Sequence, residues 1–143
     1  MFRRSALLTK TANQIDWLGF AGSLTCAVHC AVCALIPGIY AVWGLELLAG
    51  ESTEWFMVAV TCLVAIVGLA LNRRLWLAFV FGSGIFILLA ARFTEHSLHG
   101  HPDAAFYAGI AGTGGGLLIA FAHIMSLKVR PCCESGCPAE SGP

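Results

Sequence analysis

Apolar and polar residues occur along this chain in long blocks rather than in short alternation. Each apolar run has about 17–24 residues, close to the roughly 20 that a helix needs to cross hydrocarbon. The runs predict helices at about 16–36, 54–71, 75–92 and 104–127. A shorter apolar piece, 39–49, follows the helix-breaking Pro37. We therefore predict an all-α integral membrane protein, a bundle of four transmembrane helices.

Composition agrees with a membrane-embedded domain. Charged residues make up only 11% of the 143 residues, well below the roughly 25% of soluble domains, and mean hydropathy is +0.81. We divide the chain into a transmembrane domain, 1–127, and a flexible, cysteine-containing cytoplasmic tail, 128–143. The formal net charge is zero and no basic run is present, so the lipid bilayer, and not nucleic acid, is the expected partner.

The basic residues predict the orientation of the helices. Seven of the eight Lys and Arg lie in the N-terminal segment, the turn at 72–74 or the C-terminal segment, which all fall on one side of the bilayer. Only Arg92 lies on the other side. Because Lys and Arg are retained on the cytoplasmic side, both termini are expected to be cytoplasmic.

The first helix has two chemically different faces. At 100° per residue, one arc of roughly 100° carries thiols and an imidazole: Cys26, His29, Cys30 and Cys33. The opposite face carries bulky apolar residues suited to lipid: Trp17, Phe20, Leu24, Val28 and Leu35.

The thiol-bearing face has two interpretations. Thiolate and imidazole together suit Hg(II), Cu(I) and Zn(II), and residues three or four apart on a helix lie close enough to share one ion. Alternatively, the cysteines are small packing residues and His29 makes a hydrogen bond to another helix. Cys62, alone in the second run, is expected to be inert.

Histidines elsewhere suggest further cation sites. The predicted outer loop at 94–103 contains Glu95, His96, His99 and His101, which either collect cations or are simply solvated. Asp16 and His123 both lie near the cytoplasmic ends of their helices. They either form an inner relay site for the ion or pair with each other, and we favour the pair.

The tail adds three thiols, Cys132, Cys133 and Cys137, close to Lys128 and Arg130. Nearby positive charge favours the reactive thiolate. Such a tail is suited to passing an ion to a cytosolic acceptor, although an unspecific terminal segment is the alternative.

Small residues predict close helix contacts. Gly19, Gly22 and Ser23 in the first helix, and Gly109, Gly112 and Gly116 in the fourth, form faces that let helix backbones approach in lipid.

These features resemble the MerC family of small four-helix mercury-resistance membrane proteins. The matching pattern contains Asp16, Ser23-x-x-Cys26-x-x-His29-Cys30, Pro37, Arg73-Arg74, Glu95-His96, His123 and the cysteine tail. The resemblance implies uptake of Hg(II) across the bacterial inner membrane towards cytosolic mercuric reductase. The chain departs from well-described members of that family in having His29 next to the Cys30-x-x-Cys33 pair. Zinc and copper therefore stand as alternative cargo.

Two other classes of function are less compatible with the sequence, and we find no catalytic site. A membrane thiol-disulfide oxidoreductase using Cys30 and Cys33 would usually have cysteines in an outer loop, and neither outer loop here has one. A haem-binding bundle would need axial ligands at one depth, whereas His29 and His123 are predicted in opposite halves of the membrane.

Overall fold

The computed structural model of the protein describes residues 2–36, 42, 44, 50–71, 74–97 and 102–129. It contains four long helices: α1 (Phe2–Leu35), α2 (Glu51–Leu71), α3 (Leu75–Ser97) and α4 (Pro102–Val129). Each includes a segment long and apolar enough to cross a membrane: Thr11–Leu35, Glu51–Leu71, Leu75–Ser97 and Asp103–Val129. The predicted all-α fold with four transmembrane helices is confirmed.

The helices extend beyond the apolar runs that predicted them. α1 begins at Phe2 rather than near residue 16, and α3 continues to Ser97 rather than ending near 92. A run of apolar residues marks where a helix crosses hydrocarbon, but intrahelical hydrogen bonds continue into water. Glu95 and His96 are consequently helical, and the predicted loop at 94–103 is shorter. α4 likewise includes Lys128, which was predicted to begin the tail.

α1 packs against α4 along the small residues that the sequence predicts to lie in helix contacts. A Cβ added to Gly109 would lie 2.5 Å from Ala34 Cβ, and one added to Gly116 would lie 3.0 Å from Ala27 Cβ. At Gly112 it would lie 3.2 Å from Cys30 Sγ. The three glycines therefore let the two backbones approach, as the sequence predicts.

α3 packs on another side of α4, where the largest apolar side chains are buried. Leu77, Phe81 and Leu88 of α3 and Ile119 of α4 are at most 1% exposed. α2 contacts α1, α3 and α4. The largest buried apolar side chains thus lie along α3 and α4, and Cys26 of α1 and Ala65 of α2 complete the core.

The two predicted faces of α1 are present in the structure. Trp17 and Leu35 are 62% and 68% exposed, whereas Ser23 and Cys26 are each 1% exposed. One predicted packing residue is an exception: a Cβ on Gly22 would have no atom within 4 Å. Gly22 therefore lies beside the contact rather than in it.

Several sequence predictions concern parts of the chain outside the described residues. They are Pro37, most of the apolar piece at 39–49, the charged turn at Arg73, His99, His101 and the tail cysteines Cys132, Cys133 and Cys137.

Candidate metal centre

A cavity of about 50 Å³ lies between the four helices. A single water needs roughly 10–15 Å³ on this measure, so the space suits an ion together with part of its hydration shell. The cavity is lined by His29, Cys30 and Cys33 of α1, Glu54 and Val58 of α2, Leu88, Ala91, Arg92 and Glu95 of α3, and Ala105, Ala108, Gly109 and Gly112 of α4.

Three potential metal ligands meet at this cavity. One ligand atom from each of His29, Cys33 and Glu54 lies within 4.8 Å of the other two. Cys33 Sγ is 3.6 Å from His29 Nε2. Tetrahedral ligands at about 2.3 Å for sulfur and 2.1 Å for nitrogen would also be separated by about 3.6 Å. The pair on α1 is thus already spaced for one ion, and Glu54 adds a carboxylate from α2. These three residues are called the ligand trio below.

Arg92 joins two carboxylates at the edge of the cavity. One guanidinium nitrogen, Nη2, pairs with Glu54, and the other, Nη1, pairs with Glu95. The Arg92 and Glu54 side chains are only 13% and 15% exposed. Charged groups in a membrane helix are costly without partners, so this arrangement satisfies three ionic groups together.

Cys26 and Cys30 form a second thiol pair next to the ligand trio. Cys30 lines the cavity, whereas Cys26 is 1% exposed. The Cys26 side chain neighbours the Cys30 thiol and Thr61 of α2. All four predicted residues of the α1 face therefore lie in or beside the cavity, but Cys26 lies behind Cys30 rather than at the cavity wall.

His96 does not line the cavity. Its Nδ1 lies 3.5 Å from Glu51 Oε1, and both side chains are more than 60% exposed. It is a surface residue at the end of α3.

His123 is in a separate buried cluster. Its Nδ1 lies 3.0 Å from Asp16 Oδ1, and both side chains are fully buried. Ser126 donates a hydrogen bond of 2.7 Å to the other carboxylate oxygen of Asp16. The predicted pairing of Asp16 with His123 is therefore confirmed.

A sequence model described as MerC mercury resistance protein matches residues 16–128, which is most of the chain. The chain belongs to the MerC family. No curated protein and no solved structure matches it. The MerC match runs across all four helices and includes the cavity, but it ends before Cys132, Cys133 and Cys137. At the level of the family, this is a multi-pass membrane protein of mercury resistance and transport, and MerC is not a known enzyme family.

Two charged residues of this MerC cavity were not predicted as site residues. Glu54 was assigned to an acidic connection, and Arg92 served only in the orientation argument. Both lie at the ends of apolar runs, and an ionisable residue within a membrane helix is a functional candidate in its own right. That rule, applied to each run separately, would have selected both.

Proposed function

We propose that this MerC family member carries Hg(II) across the bacterial inner membrane, using the cysteines and histidine of α1, towards cytosolic mercuric reductase. The observation that carries the proposal is the meeting of His29, Cys33 and Glu54 at a cavity between four membrane-spanning helices. Family membership supports mercury as the cargo.

The ligand chemistry suits a soft divalent ion. Thiolates bind soft metals most strongly, and Cys30 and Cys33, neither of which is in a disulfide, both line the cavity. An ion that enters at Cys33 has a second thiol within the same space. Ligand exchange between neighbouring thiolates offers a way for the ion to move along α1 without being released into the apolar interior.

Orientation and delivery complete the proposal. With both termini in the cytoplasm, as the positive-inside rule predicts, His96 lies on the outer side and Asp16 and His123 towards the inner side. His96 then assists cation collection at the surface. Cys132, Cys133 and Cys137 receive the ion in the cytoplasm and pass it on by thiol exchange. In this role the protein transports the ion and has no catalytic function.

Uptake by cysteine variants tests the proposal. In a host without mercuric reductase, expression of the wild-type protein is expected to increase Hg(II) accumulation and sensitivity. Cys33→Ser and Cys30→Ser are expected to bring both to the level of cells without the protein. Cys62→Ser is the matched control, because Cys62 is a half-buried thiol of α2 that does not line the cavity. Equal loss from Cys62→Ser at equal expression would contradict the proposed ion site.

Zinc is the second cargo that the structure favours. His29 and Glu54 supply an imidazole and a carboxylate, ligands typical of Zn(II) sites, beside a single thiol. Accumulation of Zn(II) and Hg(II) measured in the same cells separates the two. Uptake of Zn(II) that depends on Cys33, with no dependence for Hg(II), would assign zinc as the cargo.

A further inference from the structure

Glu54 has two competing uses in this cavity. Its carboxylate belongs to the ligand trio with His29 and Cys33, and it also forms an ion pair with Arg92. A guanidinium and a metal ion are both cations that bind carboxylate oxygens. In this structure Arg92 therefore occupies a cationic position at Glu54.

We propose that Arg92 is an exchangeable counter-ion, which a divalent metal ion displaces from Glu54 while Arg92 remains paired with Glu95. The inference rests on the proposed function, since it takes the ligand trio as the ion-binding site. It makes Arg92 a residue that controls occupancy of the site without coordinating the ion.

The geometry allows this exchange without leaving a charge unpaired. Arg92 uses Nη2 for Glu54 and Nη1 for Glu95, so one contact is lost and the other kept. Glu95 lies three residues after Arg92 on the same helix, and the pair therefore does not depend on helix movement. Arg92 remains neutralised when Glu54 turns to the ion.

The exchange can be written with every bond and proton accounted for. The ion forms new bonds to a Glu54 oxygen, His29 nitrogen and Cys33 sulfur, and it releases water molecules. The ion pair between Arg92 and Glu54 breaks. The proton of the Cys33 thiol leaves to water, because metal-bound cysteine is a thiolate. No oxidant or reductant is required.

The exchange also defines the class of ion that is favoured. A divalent ion has twice the charge of the guanidinium and approaches a carboxylate oxygen to about 2.0–2.2 Å. Cu(I) has a single charge and prefers thiolate and thioether sulfur, so it gains little at Glu54. Arg92 and Glu54 together thus favour divalent cations over Cu(I).

Cd(II) binding by the purified full-length protein in lipid nanodiscs tests the proposal, with Cys132→Ser, Cys133→Ser and Cys137→Ser present in every sample so that tail thiols give no cadmium signal. The cadmium-thiolate charge-transfer band reports occupancy, and far-ultraviolet circular dichroism reports helix content. Glu54→Gln is expected to weaken Cd(II) binding about tenfold or more, as for other loss of metal-site partners. In the wild-type background, Arg92→Gln is expected to tighten Cd(II) binding about tenfold. In the Glu54→Gln background, the same substitution should change Cd(II) affinity by less than about threefold. Cu(I) affinity should change by less than about threefold in Glu54→Gln.

The controls separate exchange from simple electrostatics. Glu51→Gln removes the same charge from the exposed start of α2 and should leave the affinity unchanged. Equal tightening by Arg92→Gln with and without Glu54 would overturn the proposal, because it would show a through-space effect. So would weaker binding in a fully helical Arg92→Gln.

A second variant keeps the test decisive should Arg92→Gln not fold. Glu95→Gln retains the ion pair between Arg92 and Glu54 but removes the carboxylate that holds Arg92 after displacement. It is expected to weaken Cd(II) binding in the wild-type background and not in Glu54→Gln. An unchanged or tighter affinity would refute the exchange.

The Cys33→Ser variant distinguishes failure of the proposed function from failure of the exchange alone. If Cys33→Ser binds Cd(II) as tightly as the wild type, the ligand trio is not the ion site, and both proposals fail. If Cys33→Ser loses binding while the Arg92 and Glu95 variants behave as the wild type, only the exchange is refuted.

Discussion

Replacement of Gly19 by alanine tests the buried cluster that joins α1 to α4. A Cβ at this position would lie 2.3 Å from both Cε1 and Nε2 of His123, and 2.7 Å from Nδ1. Non-bonded carbon contacts are normally about 3.5–4.0 Å. The imidazole would therefore have to retreat by more than about 1 Å, because the helix backbone that carries the new methyl group is less free to move.

The ring has little space in which to retreat. His123 is fully buried, and it packs edge-on against Phe81 with ring centroids 4.8 Å apart. A Cβ on Gly68 would be only 2.9 Å from its Cε1, so α2 is close on another side. Movement away from Gly19 would also lengthen the 3.0 Å contact between Nδ1 and Asp16.

These contacts set the expected cost of Gly19→Ala. Overpacking of a well-packed interior costs about 1–3 kcal/mol, and hydrogen bonds between membrane helices contribute about 0.6–1.7 kcal/mol. Together they predict a loss of roughly 2–5 kcal/mol in the free energy of unfolding. Gly22→Ala is the matched control, since its Cβ would meet nothing within 4 Å. Its effect should stay within about 1 kcal/mol, the difference in helix propensity.

Reversible unfolding by sodium dodecyl sulfate in mixed micelles, followed by circular dichroism, measures both variants against the wild type. The sign and size of the difference between the two glycines are the test, because both substitutions add one methyl group to the same helix. If Gly19→Ala and Gly22→Ala agree to within about 1 kcal/mol, the close packing of His123 against Gly19 is refuted.

Two further predictions concern the buried cluster and delivery of the ion. Asp16→Ala removes the carboxylate that contacts both His123 and Ser126, so it should lower the free energy of unfolding by about 1–3 kcal/mol. Asp103→Ala, at the exposed start of α4, should change it by less than about 0.5 kcal/mol. Equal effects of the two variants in the same assay would contradict the pairing. Deletion of 131–143 should leave Hg(II) uptake into cells unchanged but slow the transfer of Hg(II) to purified mercuric reductase, because a tethered thiol raises the local acceptor concentration to the order of mM. Unchanged transfer would exclude the tail from delivery.

The sequence by itself determined the membrane fold and the two faces of α1. A helix in hydrocarbon needs a long apolar run and satisfies its own backbone hydrogen bonds, so four spans are recognisable without knowledge of their neighbours. Helical periodicity then places Cys26 opposite Val28 within one segment. The pairing of Asp16 with His123 was also accessible, because a charged residue within a membrane helix needs a partner and the choice was small.

Only the tertiary structure decided which residues complete the cavity. His29 and Cys33 are neighbours on one helix, but Glu54 and Arg92 come from α2 and α3. Their meeting depends on the rotation and axial position of each helix relative to α1. Lipid-facing and protein-facing surfaces in these helices are both apolar, so many rotations are compatible with the same sequence pattern.

The boundaries of the α1 contact depended on the same geometry. Gly19 and Gly22 are equivalent in the sequence pattern, yet only Gly19 lies against a side chain of α4. Residues three apart on a helix differ by about 60° in direction, and the crossing of the two helices determines which of them faces the partner. The sequence thus selects the helices and their chemistry, while packing between helices selects the atoms that meet.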